Sequence, residues 1–82
     1  MQSYYPVKVK PLDDYKLQII FDNNEERIFD VKPYLTDTYF APLSNPHIFR
    51  TVKVNNITVE WLGEIDICPD ELYYNSISAF KL

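Results

Sequence analysis

Apolar and polar residues alternate along the first third of the chain, and this pattern predicts β-strands. Strands are expected over residues 6–10 (PVKVK), 15–21 (YKLQIIF) and 25–31 (EERIFDV), because alternation turns one face of a strand toward a core and the other toward water. Residues 11–14 (PLDD) carry turn-forming residue types between the first two strands. An N-terminal strand followed by a β-hairpin is therefore predicted.

The register of this first hairpin follows from its loop. A three-residue loop over 22–24 (DNN) ends at Asn24 in the left-handed conformation, which Asn tolerates better than most residues. Leu17 then faces Phe29, and Lys16 faces Asp30 on the other side. A two-residue loop at 23–24 would set Leu17 against Asp30 instead, so the pairing of apolar side chains favours the longer loop.

A second hairpin is predicted over residues 52–61 (VKVNNITVEW). Asn55-Asn56 suits a two-residue type I′ turn, in which both residues take positive φ. In that register Val54 faces Ile57 and Val52 faces Val59. The sequence therefore predicts an apolar face that Trp61 extends.

Helical signals are restricted to two short places. Asn45-Pro46 reads as an N-cap followed by Pro at the first helical position, which predicts a short helix at about 46–50. A longer helix is predicted from Pro69 to about Phe80, with an apolar stripe that includes Leu72 and Ser76. The expected fold is an α+β domain over residues 1–82: a small antiparallel sheet of about five strands, made of two hairpins and the N-terminal strand, with one or two short helices packed on it.

The aromatic content and the net charge of the chain suggest that it binds a partner protein. The chain has seven Tyr, five Phe and one Trp, which bury a large area in a small core and also favour interfaces. Its net charge is −4, with the basic residues scattered along the sequence. Nucleic-acid binding normally requires a basic patch, so direct binding by this chain is not expected, and an acidic surface suits a basic partner protein.

The cysteine count and the hydropathy bear on the compartment. A single Cys cannot form an intrachain disulfide, which fits a reducing compartment. The N-terminus has no apolar signal-peptide region, and no run of about 18 apolar residues exists. We therefore expect a cytoplasmic protein that does not enter the membrane.

Candidate catalytic groups are few. Cys68 precedes a predicted helix start, and His47 is the one candidate base, but no third orienting group or oxyanion motif accompanies them. Asp66, Asp70 and Glu71 have no spacing that predicts a metal cage, and acids at a helix start are explained by the helix dipole. No enzymatic activity, metal or cofactor is predicted.

The segment EWLGEIDICPDEL, residues 60–72, is interpreted as a strand-to-helix corner. Trp61 closes the core, although on a sheet edge it could instead anchor a partner. Gly63 permits the turn, and Pro69 begins the helix. Asp66 is predicted to accept backbone N–H groups in the corner.

Several runs of residues resemble one bacterial family, known as domain of unknown function 2442. They are FDNNEERIFDVKPYL (21–35), Phe40 with Leu43, Phe49 with Val52, and above all the segment from Trp61 through Asp66 to PDELY (69–73). The resemblance implies a small α+β fold of the kind found at the N-terminus of a larger regulator-like protein. The chain departs from the family at Leu62-Gly63, where Trp-Pro-x-Gly is usual, and at Asn24, where Gly is usual.

The resemblance also implies a function class. Members often stand beside a second small protein in toxin–antitoxin-like gene pairs, so we expect a non-enzymatic, antitoxin-like partner of a small basic, toxin-like protein, or a self-dimer. The alternatives are a DNA-linked transcriptional regulator acting through a dimer or partner and, more weakly, a molybdopterin-cofactor-associated protein. The residues predicted to bind the partner are Trp61, Asp66, Asp70, Glu71, Tyr73 and Tyr74.

Overall fold

The computed structural model describes residues 4–81, apart from the side chain of Lys81. The α-helices and strands follow each other along the chain as β1 (Pro6–Leu12), β2 (Lys16–Phe21), β3 (Glu26–Asp30), α1 (Pro46–Phe49), β4 (Lys53–Val54), β5 (Val59–Trp61), β6 (Ile65–Asp66), α2 (Pro69–Tyr74) and β7 (Ile77–Ser78). Single turns of 3₁₀-helix lie at Asp13–Tyr15, Lys32–Tyr34, Ala41–Ser44 and Ala79–Lys81. The predicted α+β class is confirmed.

The strands form two antiparallel sheets rather than the single sheet of about five strands that was predicted. One sheet has the order β1-β2-β3-β7 and the other has the order β4-β5-β6. Strands β6 and β7 have two residues each, which is too short for a period-2 pattern to be recognised in the sequence. A single core nevertheless joins both sheets and both helices, formed by Leu17, Ile19, Phe21, Phe29, Val31, Leu43, Phe49, Val59, Trp61, Ile65, Ile67 and Leu72.

The first hairpin has the predicted register. Leu17 lies opposite Phe29 and Lys16 lies opposite Asp30. The loop closes with the Phe21 N–H donating to the Glu25 carbonyl at 2.9 Å, and Asn24 has φ 69°. The prediction holds because only this register places the apolar side chains of both strands on one face.

The second hairpin does not have the predicted turn. Val54 lies opposite Val59 and Lys53 opposite Glu60, which leaves a four-residue loop over 55–58. Asn55 and Asn56 do not take positive φ. The Asn55 Oδ1 atom instead accepts hydrogen bonds from the backbone N–H groups of Ile57 at 2.8 Å and Thr58 at 2.6 Å. These side-chain hydrogen bonds close the turn without residues of positive φ.

The last helix is shorter than predicted. The short helix α1 forms as expected, with Asn45 Oδ1 accepting from the His47 N–H at 3.0 Å, but α2 ends at Tyr74 rather than near Phe80. Arg27 donates to both the carbonyl and the hydroxyl of Ser76 at 2.6 Å. Arg27 thus holds Ser76 beside β3, and Ile77 pairs with Ile28 of that strand. Phe80, which was predicted to lie on the apolar stripe of the helix, is instead 86% exposed.

Candidate functional site: an aromatic–acidic surface and a lysine groove

The segment EWLGEIDICPDEL contains an additional hairpin that the predicted corner lacked. Trp61 of β5 pairs with Ile65 of β6 across a three-residue turn. Gly63 has φ 95° and Glu64 has φ 62°. A Cβ at Gly63 would meet no atom within 4 Å, so glycine suits this position because of its backbone conformation rather than because of crowding. Helix α2 begins only after this hairpin.

Trp61 lies in the core, with 2% of its surface exposed. Its indole Nε1–H donates to the Phe49 carbonyl at 3.1 Å, so its one polar atom is satisfied inside the protein. The structure therefore removes Trp61 from the side chains that a partner could reach in the folded protein.

Asp66 is exposed and contacts Tyr39. The Tyr39 hydroxyl accepts from the Asp66 N–H at 3.1 Å and lies 3.3 Å from both the Asp66 carboxylate and the Glu64 carbonyl, either of which can accept its proton. The prediction that Asp66 accepts backbone N–H groups is thus replaced by a side-chain contact. Tyr39 lies 27 residues earlier, and nothing in the sequence spacing indicates that contact.

A row of aromatic rings connects Asp66 to Glu71. The Tyr39 ring contacts Phe40 at a centroid distance of 4.7 Å, and Phe40 contacts Tyr34 at 5.5 Å. The Tyr34 hydroxyl then donates to the Glu71 carboxylate at 3.1 Å and accepts from the Asn75 amide at 3.0 Å. We call this row, together with Tyr74 three residues after Glu71 on α2, the aromatic–acidic surface; the Tyr74 ring itself contacts Tyr73 at a centroid distance of 5.1 Å.

The Tyr34 phenol stays protonated on this surface. Burial raises the pKa of Tyr34, the nearby Glu71 carboxylate raises it further, and the hydrogen bond from Asn75 acts in the opposite direction. Glu71 is exposed and Asp70 is half-buried, both in the first turn of α2. Tyr74, at positions i+3 and i+4 from these two acids, is 56% exposed.

Tyr73 lies on a different side of α2, in a cluster with Arg27. Its hydroxyl donates to the Glu25 carboxylate, and the Arg27 guanidinium lies 4.5 Å from the centre of its ring. The hydrogen bond from Tyr73, followed by the charge of Arg27, lowers the pKa of Glu25, and the same hydrogen bond raises the pKa of Tyr73. Tyr73 also packs edge-on against Phe21, with the ring centroids 4.9 Å apart. These contacts connect α2 to the first hairpin.

The groups considered for catalysis and metal binding are not assembled into a site. Cys68 and His47 are both exposed, and no hydrogen bond between their side chains is present in the described part of the chain. Among residues 4–81, no group of three or more His, Cys, Asp and Glu side chains is placed to hold a metal ion. The longer of the two α-helices described, α2, has six residues, and no described helix is long and apolar enough to cross a membrane.

The family model described as Protein of unknown function (DUF2442) matches residues 6–78. The chain belongs to this family. The match covers nearly the whole chain and agrees with the resemblance seen in the sequence. No curated protein and no solved structure matches this DUF2442 chain significantly.

The DUF2442 fold also gathers basic residues that are scattered in the sequence. Lys8 and Lys10 of β1 and Lys53 of β4 line one groove, which corrects the interpretation that the basic residues do not cluster. The sequence alone could place two of these three lysines together, because Lys8 and Lys10 alternate with valines and therefore share one face of a strand. Lys53 is more than 40 positions away, and only the packing of β4 beside β1 brings it there.

Proposed function

We propose that this DUF2442 domain is a non-enzymatic protein-binding module that binds a small basic protein through its aromatic–acidic surface. The observation that carries the proposal is the row of rings that holds Asp66 and Glu71 in one surface. Interfaces favour tyrosine because a large rigid ring carries a polar tip. The carboxylates supply charge complementary to Lys and Arg side chains.

Four of the residues predicted to bind a partner support this surface. Asp66, Glu71 and Tyr74 are exposed, and Asp70 is half-buried beside them. Tyr39 joins them with 48% of its surface exposed. The Tyr34 hydroxyl donates to the Glu71 carboxylate, and the Tyr39 hydroxyl lies within hydrogen-bonding distance of the Asp66 carboxylate, so less side-chain freedom is lost when a partner binds.

The partner class rests on the acidity of the chain and on the resemblance discussed above. A net charge of −4 favours association with a basic protein, and an antitoxin-like role is the form of this proposal that the family context suggests. The lone Cys68 fits a reducing compartment such as the cytoplasm. A self-dimer is the alternative partner.

The test is an affinity purification of the tagged protein from lysate of its source cells, with mass spectrometry and sedimentation analysis of the complex. We expect a small basic protein at equal stoichiometry. The double variant Asp66→Asn/Glu71→Gln should reduce its recovery by about tenfold, since two charge-assisted contacts of about 0.7 kcal/mol each amount to about 1.4 kcal/mol.

The matched control is Asp13→Asn/Asp22→Asn, which removes the same charge at two exposed positions away from the surface. Recovery should be unchanged in that variant. Equal losses in both variants would point to net charge alone, and a monomer that recovers no partner would contradict the proposal.

A further inference from the structure

A groove beside the edges of the two sheets collects three of the protein's eight basic side chains. Lys8, Lys10 and Lys53 line a depression of about 530 Å³, and none of the described residues that line it is acidic. The protein as a whole has twelve acidic residues and a net charge of −4. This groove is therefore a local exception to the charge of the chain.

The topology builds the groove from one strand of each sheet. Strand β1 is at one end of its sheet and β4 at one end of the other, and they are not hydrogen-bonded neighbours. Their Cα atoms nevertheless approach within 8 Å. Lys8 and Lys10 lie opposite Ile20 and Gln18 on the face of β2 that points away from the core, so their ammonium groups and these side chains share one side of the sheet.

Apart from Gln18, whose amide donates to the Glu26 carboxylate at 2.8 Å, the lining between the lysines is apolar. Val7 is 51% exposed, and Ile20 is half-buried without belonging to the core cluster. Three further valines, which pack partly against the core, complete the apolar lining: Val9, Val52 and Val54. Exposed aliphatic surface beside cations gives a ligand both an apolar contact and a charge contact.

The lysines of the groove are poorly neutralised by the protein. Lys53 reaches Glu60 only at 4.0 Å, the limit of an ion pair, and no carboxylate lies within that limit of Lys8 or Lys10 in the described chain. Elsewhere Lys32 contacts Asp14 at 2.6 Å. Three lysine charges with little internal compensation make the groove a positive region that attracts anions.

We propose that this groove is a binding site for a small organic anion with an apolar body, such as an aromatic or aliphatic carboxylate or sulfonate. The acidic group accepts hydrogen bonds from the lysine ammonium groups, and the body covers Val7 and Ile20. The volume falls within the range of about 300–1,000 Å³ that is typical of small-molecule sites. The proposal does not depend on the protein partner proposed above, which binds a different surface of opposite charge.

The experiment compares two probes that share one ring system. Anilinonaphthalene sulfonate carries the anionic group, and N-phenylnaphthylamine lacks it; both report binding by fluorescence. We expect the sulfonate to bind more tightly than the neutral amine, by about tenfold or more, and more weakly as salt is added. Backbone amide NMR with the sulfonate should show its largest shifts at residues 7–10, 18–20 and 52–54.

Matched variants locate the charge contribution. Lys8→Gln/Lys10→Gln/Lys53→Gln should lower sulfonate affinity by about tenfold or more and leave the neutral amine nearly unchanged. The control Lys16→Gln/Lys32→Gln/Arg50→Gln removes the same charge outside the groove. It should change either affinity by less than about twofold, because exposed charges that do not contact the ligand are screened by water and salt. Circular dichroism verifies that both variants are folded.

A third variant tests the apolar lining. Val7→Ser should weaken both probes to a similar degree, because it removes exposed aliphatic surface that both ring systems would cover. Three results would overturn the proposal: shifts centred outside the groove, equal losses in the two triple variants, or a neutral probe that binds as tightly as the sulfonate.

Discussion

The loops of both hairpins in this protein contain asparagine, but the two hairpins are stabilised in different ways. In β2–β3 the ladder joins five residue pairs, and Asn24 closes the loop through a left-handed backbone. In β4–β5 the ladder joins two pairs, and the side chain of Asn55 closes the loop by accepting two backbone N–H groups. An asparagine side chain accepts backbone N–H groups in both loops, since the Asn23 Oδ1 accepts from the Glu25 N–H at 3.0 Å, but only the long hairpin also has an asparagine with positive φ.

The short hairpin depends on hydrogen bonds to groups outside its ladder. The Trp61 indole donates to the Phe49 carbonyl at 3.1 Å, and the Leu62 N–H donates to the Thr51 hydroxyl at 2.9 Å. The long hairpin instead presents Leu17, Ile19 and Phe29 to the core with almost no exposure. A short ladder buries too little surface to fix its own position, so single side chains should matter more in β4–β5 than in β2–β3.

The largest effect is expected for Trp61→Phe. This variant removes the indole donor to the Phe49 carbonyl, which keeps only the longer hydrogen bond from the Val52 N–H at 3.4 Å. It also opens a small cavity, so we expect a loss of about 2–4 kcal/mol in the free energy of unfolding. Urea unfolding followed by far-UV circular dichroism measures it. The control Leu62→Ala changes a neighbouring residue that is 64% exposed, and its free energy of unfolding should stay within about 0.5 kcal/mol of the wild-type value. Equal losses in the two variants would show that the Trp61 contacts do not stabilise the hairpin.

The next effect is expected for Asn55→Ala. It leaves the N–H groups of Ile57 and Thr58 without their acceptor, so we expect a loss of about 1–2 kcal/mol by the same measurement. Asn56→Ala is the control, because Asn56 is exposed and does not close the loop. If Asn56→Ala proved the more costly variant, the side-chain turn would be the wrong description of this loop.

A smaller effect of opposite sign is expected for Asn24→Gly in the long hairpin. Glycine adopts the positive φ of 69° without the steric cost that Asn carries. We expect a change between zero and a gain of about 1 kcal/mol, measured as a shift of the urea midpoint. Asn24→Val should lose stability at this position, and a neutral Asn24→Val would contradict the left-handed turn.

The smallest effect is the acid dependence that Glu25 contributes to the long hairpin. The pKa of Glu25 is held below its ordinary value by the Tyr73 hydroxyl and by Arg27. A carboxylate with a lower pKa in the folded state contributes stability above its unfolded pKa of 4.5, and that contribution is lost as the pH falls through the folded value.

Thermal unfolding measured from pH 6 to pH 3 checks this linkage. Glu25→Gln should flatten part of the decline with acid. Identical slopes for the wild-type protein and Glu25→Gln would show that the Tyr73 and Arg27 contacts do not act on folding.

The elements that the sequence predicts correctly are those whose signals are local and repeated. The first hairpin has five or more alternating positions on each strand, and a register error would turn Leu17 toward Asp30. The start of α1 depends on adjacent residues, Asn45 and Pro46. The aromatic–acidic surface was predicted only in part, because the acids and Tyr74 lie in one segment whereas Tyr39 and Tyr34 come from elsewhere.

The wrong predictions fall where a tertiary contact or a side-chain hydrogen bond outweighs a weak backbone preference. The extended helix after Tyr74 is replaced by a strand because Arg27, 49 residues earlier, binds Ser76. The two-residue turn at Asn55-Asn56 is replaced because the Asn55 side chain offers a better acceptor. Neither interaction is visible in the spacing of residues along the chain.

By itself, the sequence determined the α+β class, the first hairpin with its register and the chemistry available at the surface. These follow from alternation, turn residues and residue types, which act over a few neighbouring positions. The division into two sheets, the burial of Trp61, the row of rings between Asp66 and Glu71 and the meeting of Lys53 with Lys8 and Lys10 were decided by the tertiary structure. The physical reason is that each of them depends on where two distant segments pack, and that depends on the free energy of the whole core.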